Sequence, residues 1–274
     1  MQTIGFLGPE GTHTQQAALN YTANHPAKLT AYPALSTLLQ AVQSGELNAA
    51  VIPIENSLEG AVNLSLDLLA WEVDLLITAE IVLPISHCLL VNPGSTMEAL
   101  RTLFTHPQAS GQCRKFLEDE LPQVSVSHTL STAEGARLTK EGGAQCAAIA
   151  PRQAGELYGL QILRDNIQDQ ANNFTRFAVI GNKPASSTGR DKTSLVFSTD
   201  HHPGSLYRIL DIFSLWDLNM TKIESRPARS KLGTYIFFID LEGHVSDHDM
   251  KDALTMVQRK TTFYKFLGSY PQAE

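Results

Sequence analysis

The sequence predicts an α/β protein of two domains, a larger one built from βα units and a smaller one of βαββαβ order. Short apolar strands alternate with amphipathic helical stretches from the N-terminus to about residue 181, the pattern of a parallel sheet flanked by helices. KPASSTGRD, residues 183–191, then brings Pro, Ser and Gly with no apolar residue larger than Ala, as linkers do. From residue 192 to 274 the chain reads strand, helix, two strands, helix, strand, the ferredoxin-like order. A length of 274 residues fits two domains.

TIGFLG is the first strand and THTQQAALNY the first helix. Thr12 is its N-cap, with Gln15 three residues later completing a capping box. Glycines at 5, 8 and 11 lie between them, but the Lys-Ser/Thr end of a phosphate loop and full GxGxxG spacing are missing. The stretch is therefore either a tight strand-to-helix turn or a helix start whose N–H groups hold an anion. LTAYPA and STLLQAVQSGE repeat the pattern. AAVIPI runs straight into Glu55, Asn56 and Ser57 before Gly60 opens the helix AVNLSLDLLAW. Polar side chains at the carboxyl end of a parallel strand are ligand candidates.

EIVLPISHCLLV follows as strand. TMEALRTLF and GQCRKFLEDEL read as helical stretches on either side of Thr105, His106, Gln108 and Gln112, a helix cap followed by a loop. QVSVSHTL, STAEGARLTKEG, CAAIAP and RQAGELYG alternate strand and helix. ANNFTRFAVIG is the most pointed segment. FAVIG is a buried strand by composition, yet Asn172, Asn173, Thr175 and Arg176 stand at its mouth. A mere turn would use Gly, Pro or Asp there. The first hundred residues contain one cation, Lys28, so an anionic ligand would have to be met by helix N-termini and a few imported side chains, of which Arg176 is the obvious one.

In the small domain TSLVFSTD is a strand and GSLYRILDIFSLWDL a helix that starts after Pro203. MTKIESR and TYIFFIDLEG form a hairpin, HDMKDALTMVQRK a helix and TFYKFLGSY the last strand. Hydrophobic content of 43%, charged content of 18% and a net charge of −7 describe an ordinary globular chain. No Lys/Arg run stands out, which argues against nucleic acid and anionic membrane as partners. Cys88, Cys113 and Cys146 are odd in number and lack CxxC pairing, the usage of reduced thiols in the cytoplasm. MQTIGFLGPEG has no basic lead of a signal peptide. The apolar region Leu64 to Val91 is broken by Asp67, Glu72, Asp74 and Glu80, too polar to span a bilayer. His87, His201 and His202 lack metal-ligand spacing, so no metal is expected.

GPEGTHT, PIENSLEG, THPQASGQC and NNFTRF, in this order, resemble the prephenate dehydratase family. PGSLYRIL and ESRP, Glu224 to Pro227, resemble an ACT regulatory domain. The resemblance covers nearly the whole chain, with one departure: the family often has Ser where this chain has Thr105. It implies a catalytic domain at 1–183 of two lobes, laid out like periplasmic binding proteins, the second lobe at about 82–168. A linker at 184–191 and an ACT domain at 192–274 follow. It implies decarboxylating dehydration of prephenate to phenylpyruvate without cofactor, with Thr175 donating to the leaving hydroxyl and Glu55 a candidate proton relay. Asn56, Ser57, Thr105 and Gln112 would orient the substrate. Arg176 would clamp a carboxylate, with Phe177, Gly11, Thr12 and Asn173 beside it. L-phenylalanine would bind as effector at Pro203, Gly204, Ser205, Leu206, Leu218, Asn219, Glu224 and Ser225, between paired domains of a homodimer or homotetramer. Arogenate is the alternative substrate, and a non-catalytic two-lobed sensor the alternative class. At this length a fused chorismate mutase domain is not expected.

Overall fold

The computed structural model describes residues 2–229 and 233–273. Along the chain it runs β1 (Gln2–Leu7), α1 (His13–Asn24), β2 (Ala27–Tyr32), α2 (Leu35–Gln43), β3 (Ala49–Asn56), β4 (Gly60–Ala61), α3 (Asn63–Trp71), β5 (Leu76–Pro84) and β6 (Cys88–Val91). Then come β7 (Thr102–Thr105), α4 (Pro107–Gln112), α5 (Arg114–Glu120), β8 (Ser125–His128), α6 (Thr132–Gly142), β9 (Cys146–Ala150), α7 (Arg152–Tyr158), β10 (Gln161–Arg164) and β11 (Phe174–Gly181). The small domain is β12 (Asp191–Ser198), α8 (Ser205–Leu215), β13 (Met220–Pro227), β14 (Tyr235–Glu242), α9 (His248–Lys260) and β15 (Phe263–Pro271).

One sheet has the order β2-β1-β3-β11-β5, with β4 on β3; a second has β10-β6-β9-β7-β8; a third has β13-β14-β12-β15. The chain divides into two compact units. One holds Met1–Leu38, Val51–Gly60 and Val82–Phe177, the other Leu39–Ala50, Ala61–Ile81 and Ala178–Glu274.

In the first unit β1 pairs with β2 in parallel, as βα alternation requires. Half of the capping box forms: Thr12 accepts from the Gln15 amide at 3.3 Å, while the Gln15 side-chain oxygen takes the N–H of Gly11, one residue ahead of the cap, at 2.6 Å. The second sheet is mixed. β7 pairs in parallel with β8 and β9, whereas β6 pairs antiparallel with β9 and β10. Along β6 the period of two is plain. Leu89 and Val91 enter one apolar cluster, Cys88 and Leu90 another. Helix α6 lies so close to β7 that a Cβ on Gly135 would stand 2.8 Å from the Phe104 carbonyl oxygen. The stretch TMEALRTLF corrects the helical expectation: only Met97–Ala99 make one 3-10 turn, and Thr102–Thr105 are strand. Pairing on both sides of β7 overrides its helix-favouring residues.

In the second unit the small domain has the expected βαββαβ order, its helices packed on Leu195, Phe197, Ile239 and Leu241. The other face of its sheet meets α3 and β5. Arg226 holds Asp67 with two hydrogen bonds of 2.7 and 2.8 Å, and Arg229 adds a third at 2.7 Å. Lys192 reaches both oxygens of Glu80 at 2.9 Å, and Trp71 stacks on Phe263 at 4.8 Å. The segment before β12 is more ordered than its composition suggests. The Asp191 carboxylate accepts from Ser187, from both the amide and hydroxyl of Thr188, and from the Gly189 amide, which holds its pKa below the ordinary carboxylate value against the opposing effect of burial.

Candidate functional site

Five of the expected residues meet in one hydrogen-bonded network within the first unit. Asn56 ends β3, and its side-chain oxygen accepts from the amides of Leu58 and Glu59 at 3.0 and 3.1 Å. That fixes the amide's orientation, so Nδ2 is the donor end. It donates to Asn173 Oδ1 at 2.8 Å, to the Phe174 carbonyl at 3.2 Å and to Thr175 Oγ1 at 2.9 Å. Asn173 therefore presents its own Nδ2 to Gln112 Oε1 at 3.0 Å, and Gln112 Nε2 donates to Glu59 at 3.0 Å. Ser57 closes the loop, its hydroxyl donating to the Asn172 carbonyl at 3.0 Å and accepting from the Phe174 amide at 2.9 Å.

The direction of this network matters. Because Thr175 Oγ1 accepts from Asn56, its hydrogen must point elsewhere and is left to donate to a bound group. Thr175, Asn56 and Asn173 are all buried, so the donor sits in a medium where a hydrogen bond counts for more than in water. One residue on, Arg176 pairs with Glu55 at 3.3 Å. Here Glu55 is the counter-ion of Arg176.

The other expected residues fall elsewhere. Thr105 is fully buried at the end of β7 and gives its hydroxyl hydrogen to the Ile149 carbonyl at 2.8 Å. Gly11 spends its N–H on Gln15, and Thr12 spends its hydroxyl hydrogen on the Pro9 carbonyl at 3.0 Å. Both donors are thus engaged within the turn itself. Phe177 is 2% exposed, and strand alternation puts it on the same face of β11 as Thr175, two residues further along. The loop before α4 does start with a cap, His106, whose ring accepts from the Gln108 amide.

Sequence reasoning missed Glu59, His13 and His87. His87 Nε2 lies 2.9 Å from Gln112 Oε1, and its ring meets that of His13 edge-on at 5.8 Å. Burial, and after it the neighbouring His87, lower the pKa of His13 from its ordinary 6.5 to about 4. Burial also lowers that of His87, against the hydrogen bond to Gln112. Each imidazole is thus held neutral. A folded-state pKa below the unfolded one means stability that is full above pH 6.5 and lost as pH falls toward 4. His13→Phe should remove this pH dependence, worth on the order of 3 kcal/mol. Urea unfolding of both proteins at pH 7 and pH 4.5 checks it: equal losses on acidification would contradict the assignment.

In the small domain Gly204 caps α8 with φ +80, Ser205 follows, and Pro203 precedes. Leu206 and Leu218 pack against the core. Leu218 and Asn219 line a pocket of about 350 Å³ with Leu210, Phe213 and Met220. Glu224 and Ser225 lie on β13, opposite Phe238 and Phe237. The 11 residues of α8 separate Gly204 from Leu218, roughly 16 Å at the helical rise. Among the described residues no group of His, Cys, Asp and Glu could hold a metal ion, and no helix is long and apolar enough to cross a membrane.

An α/β fold carrying a directed chain of amides that ends on one threonine hydroxyl, beside an arginine, defines an enzyme for an anionic substrate. Comparison with known proteins narrows the class. A family model described as prephenate dehydratase matches residues 4–185. A bifunctional chorismate mutase/prephenate dehydratase of Aquifex aeolicus is 40% identical over 98% of this chain and 74% of its own length. A crystal structure of prephenate dehydratase from Arthrobacter aurescens in complex with L-Phe has a TM-score of 0.90 at 36% identity, over 98% of this chain and 90% of that one. A structure described as a novel type of quorum quenching acylase has a TM-score of 0.88 at 30% identity, over 99% and 98%. The chain belongs to the prephenate dehydratase family.

Proposed function

We propose that the chain converts prephenate to phenylpyruvate, water and CO2, and that the Asn56-to-Thr175 hydrogen bond carries this reading. Prephenate is a cyclohexadiene with a ring carboxylate, a pyruvyl carboxylate and a hydroxyl across the ring. Loss of CO2 together with the hydroxyl makes the ring aromatic, which supplies the driving force; the obstacle is a poor leaving group, hydroxide. Thr175 is oriented to donate to that oxygen as the C–O bond breaks. A free threonine is a very weak acid, so its hydroxyl hydrogen-bonds to the departing oxygen as the C–O bond breaks, and the proton that completes the water comes from solvent. The electron pair of the breaking C–CO2 bond enters the ring as the C–O pair leaves with the hydroxyl.

The acylase likeness means that fold alone does not choose the reaction. Among the described residues no base is hydrogen-bonded to the Thr175 hydroxyl, whereas a nucleophilic threonine needs one to take its proton. An oriented donor suits leaving-group chemistry. Arg176 meets the pyruvyl carboxylate as a two-pronged donor, exchanging Glu55 for substrate. Arg176→Lys should raise KM about tenfold with a smaller change in kcat, since an ammonium cannot reproduce the fork. Steady-state kinetics decide: an unchanged KM would place the clamp elsewhere. Thr105 supports β7 and, through it, the start of α4, the helix that ends on Gln112.

We also infer that the small domain is an ACT module taking L-phenylalanine between two copies of the chain, Gly204 and Ser205 of one facing Glu224 and Ser225 of the other. This siting requires a dimer or a larger even assembly, and free thiols support a cytoplasmic setting. Gly204→Val puts a branched side chain where the backbone takes φ +80 and the ligand must approach. It should abolish inhibition by phenylalanine and leave uninhibited activity within about threefold, as effector and substrate act at separate sites. A fully inhibitable variant would refute this siting.

A further inference from the structure

We propose that His87 is a positioning residue for the reaction, acting through Gln112. His87 sits just ahead of β6 and is 3% exposed. Its backbone is pinned on both sides: the N–H donates to Gln168 Oε1 at 3.0 Å, and the carbonyl accepts from the Ile167 amide at 3.0 Å. Gln112 is tied to the same segment, its carbonyl accepting from the Asp169 amide at 2.7 Å. The two side chains are thus held face to face by one stretch of backbone, and they meet at 2.9 Å between His87 Nε2 and Gln112 Oε1.

Which atom donates follows from the rest of the network. Gln112 Nε2 donates to the Glu59 carboxylate and Oε1 accepts from Asn173, so Oε1 is an acceptor and His87 must carry its proton on Nε2. Its Nδ1 then bears a bare lone pair, and that atom is buried without a partner. A histidine used only to fill space is a poor choice here, since an apolar residue of similar size would avoid the unpaired nitrogen. The one polar contact that its ring makes among the described residues goes to the oxygen that also receives Asn173. Two donors converging on Oε1 hold the Gln112 amide in one orientation. That keeps Asn173 Oδ1 turned toward Asn56 and the Thr175 hydrogen turned outward. His87 touches none of the reacting atoms; it sets the polarity of the groups that do.

This rests on the proposed dehydratase reaction, and the test separates the two. Wild type, His87→Leu and His87→Gln are compared with prephenate as substrate, with circular dichroism and thermal melting as controls on folding. Nitrogen-15 NMR of histidine-labelled wild type reads the tautomer. Expected are an Nε2–H tautomer, a kcat for His87→Leu about tenfold or more below wild type at a KM within about twofold, and recovery in His87→Gln to within about threefold. The glutamine amide can restore the donor to Oε1, whereas leucine cannot. Removing the unpaired Nδ1 should leave the melting temperature of His87→Leu equal to wild type or higher. An Nδ1–H tautomer, wild-type kcat in His87→Leu, or a His87→Gln as slow as His87→Leu overturns the inference. A wild type that leaves prephenate untouched overturns the dehydratase reading and takes this inference with it.

Discussion

Thr175→Ala is expected to lower kcat for prephenate by about 10²- to 10³-fold while KM moves less than about threefold, the scale of losing one donor to charge that develops in a transition state. The oxygen of the leaving hydroxyl gains negative charge only as the C–O bond stretches, so the interaction is worth far more at the summit than in the bound substrate. Removal of the hydroxyl also leaves Asn56 Nδ2 with its two other acceptors, Asn173 Oδ1 and the Phe174 carbonyl. The network keeps its direction and the fold its stability. Thr175→Ser should recover most of the rate, because the hydroxyl is restored and only a methyl is lost. Steady-state kinetics beside circular dichroism would check it. A Thr175→Ala enzyme with near-normal kcat removes Thr175 from the chemistry.

Gly268→Ala is expected to be the most destabilising small substitution in the small domain. A Cβ there would lie 2.2 Å from the carbonyl oxygen of Ile77 and 3.0 Å from its nitrogen, at φ +135. Neither partner can retreat. β15 is held to β12 from Asp191–Pro271 to Ser198–Phe263, and Ile77 is buried in β5. The glycine is what lets the last strand come against the backbone of β5. The substitution should cost about 3 kcal/mol or more, from strained backbone together with a forced separation. Calorimetry should show a fall in melting temperature of at least about 5 °C. Gly111→Ala is the control: it lies in α4 with nothing within 4 Å of its Cβ, and better helix propensity should leave it neutral or slightly stabilised. If Gly268→Ala melts like Gly111→Ala, the close approach of β15 to β5 is wrong.

What could be read from the sequence were features with a local cause. Thr12 and Gln15 announce a helix start because both ends of a capping box lie within one turn. Asn56, Asn173 and Thr175 stand out because polar residues at the ends of apolar strands have no structural reason to be there. β7 was not legible, since Met97, Glu98, Ala99 and Leu100 favour helix and only its pairing with β8 and β9 makes Thr102–Thr105 a strand. β10 was missed because Gln161–Arg164 is short and half polar. His87, weighed only as a metal ligand, and Glu59 were not legible as site residues because they join the network only through Gln112, 25 and 53 residues away.

The most direct test is to follow prephenate carbon-13-labelled in its ring carboxylate by NMR in the presence of the purified chain, beside Thr175→Ala. The account predicts labelled CO2 and phenylpyruvate appearing together in equal amounts with wild type, and a rate lower by at least about a hundredfold with the variant. Prephenate that persists with wild type, while arogenate or an N-acyl amide is consumed under the same conditions, would contradict it.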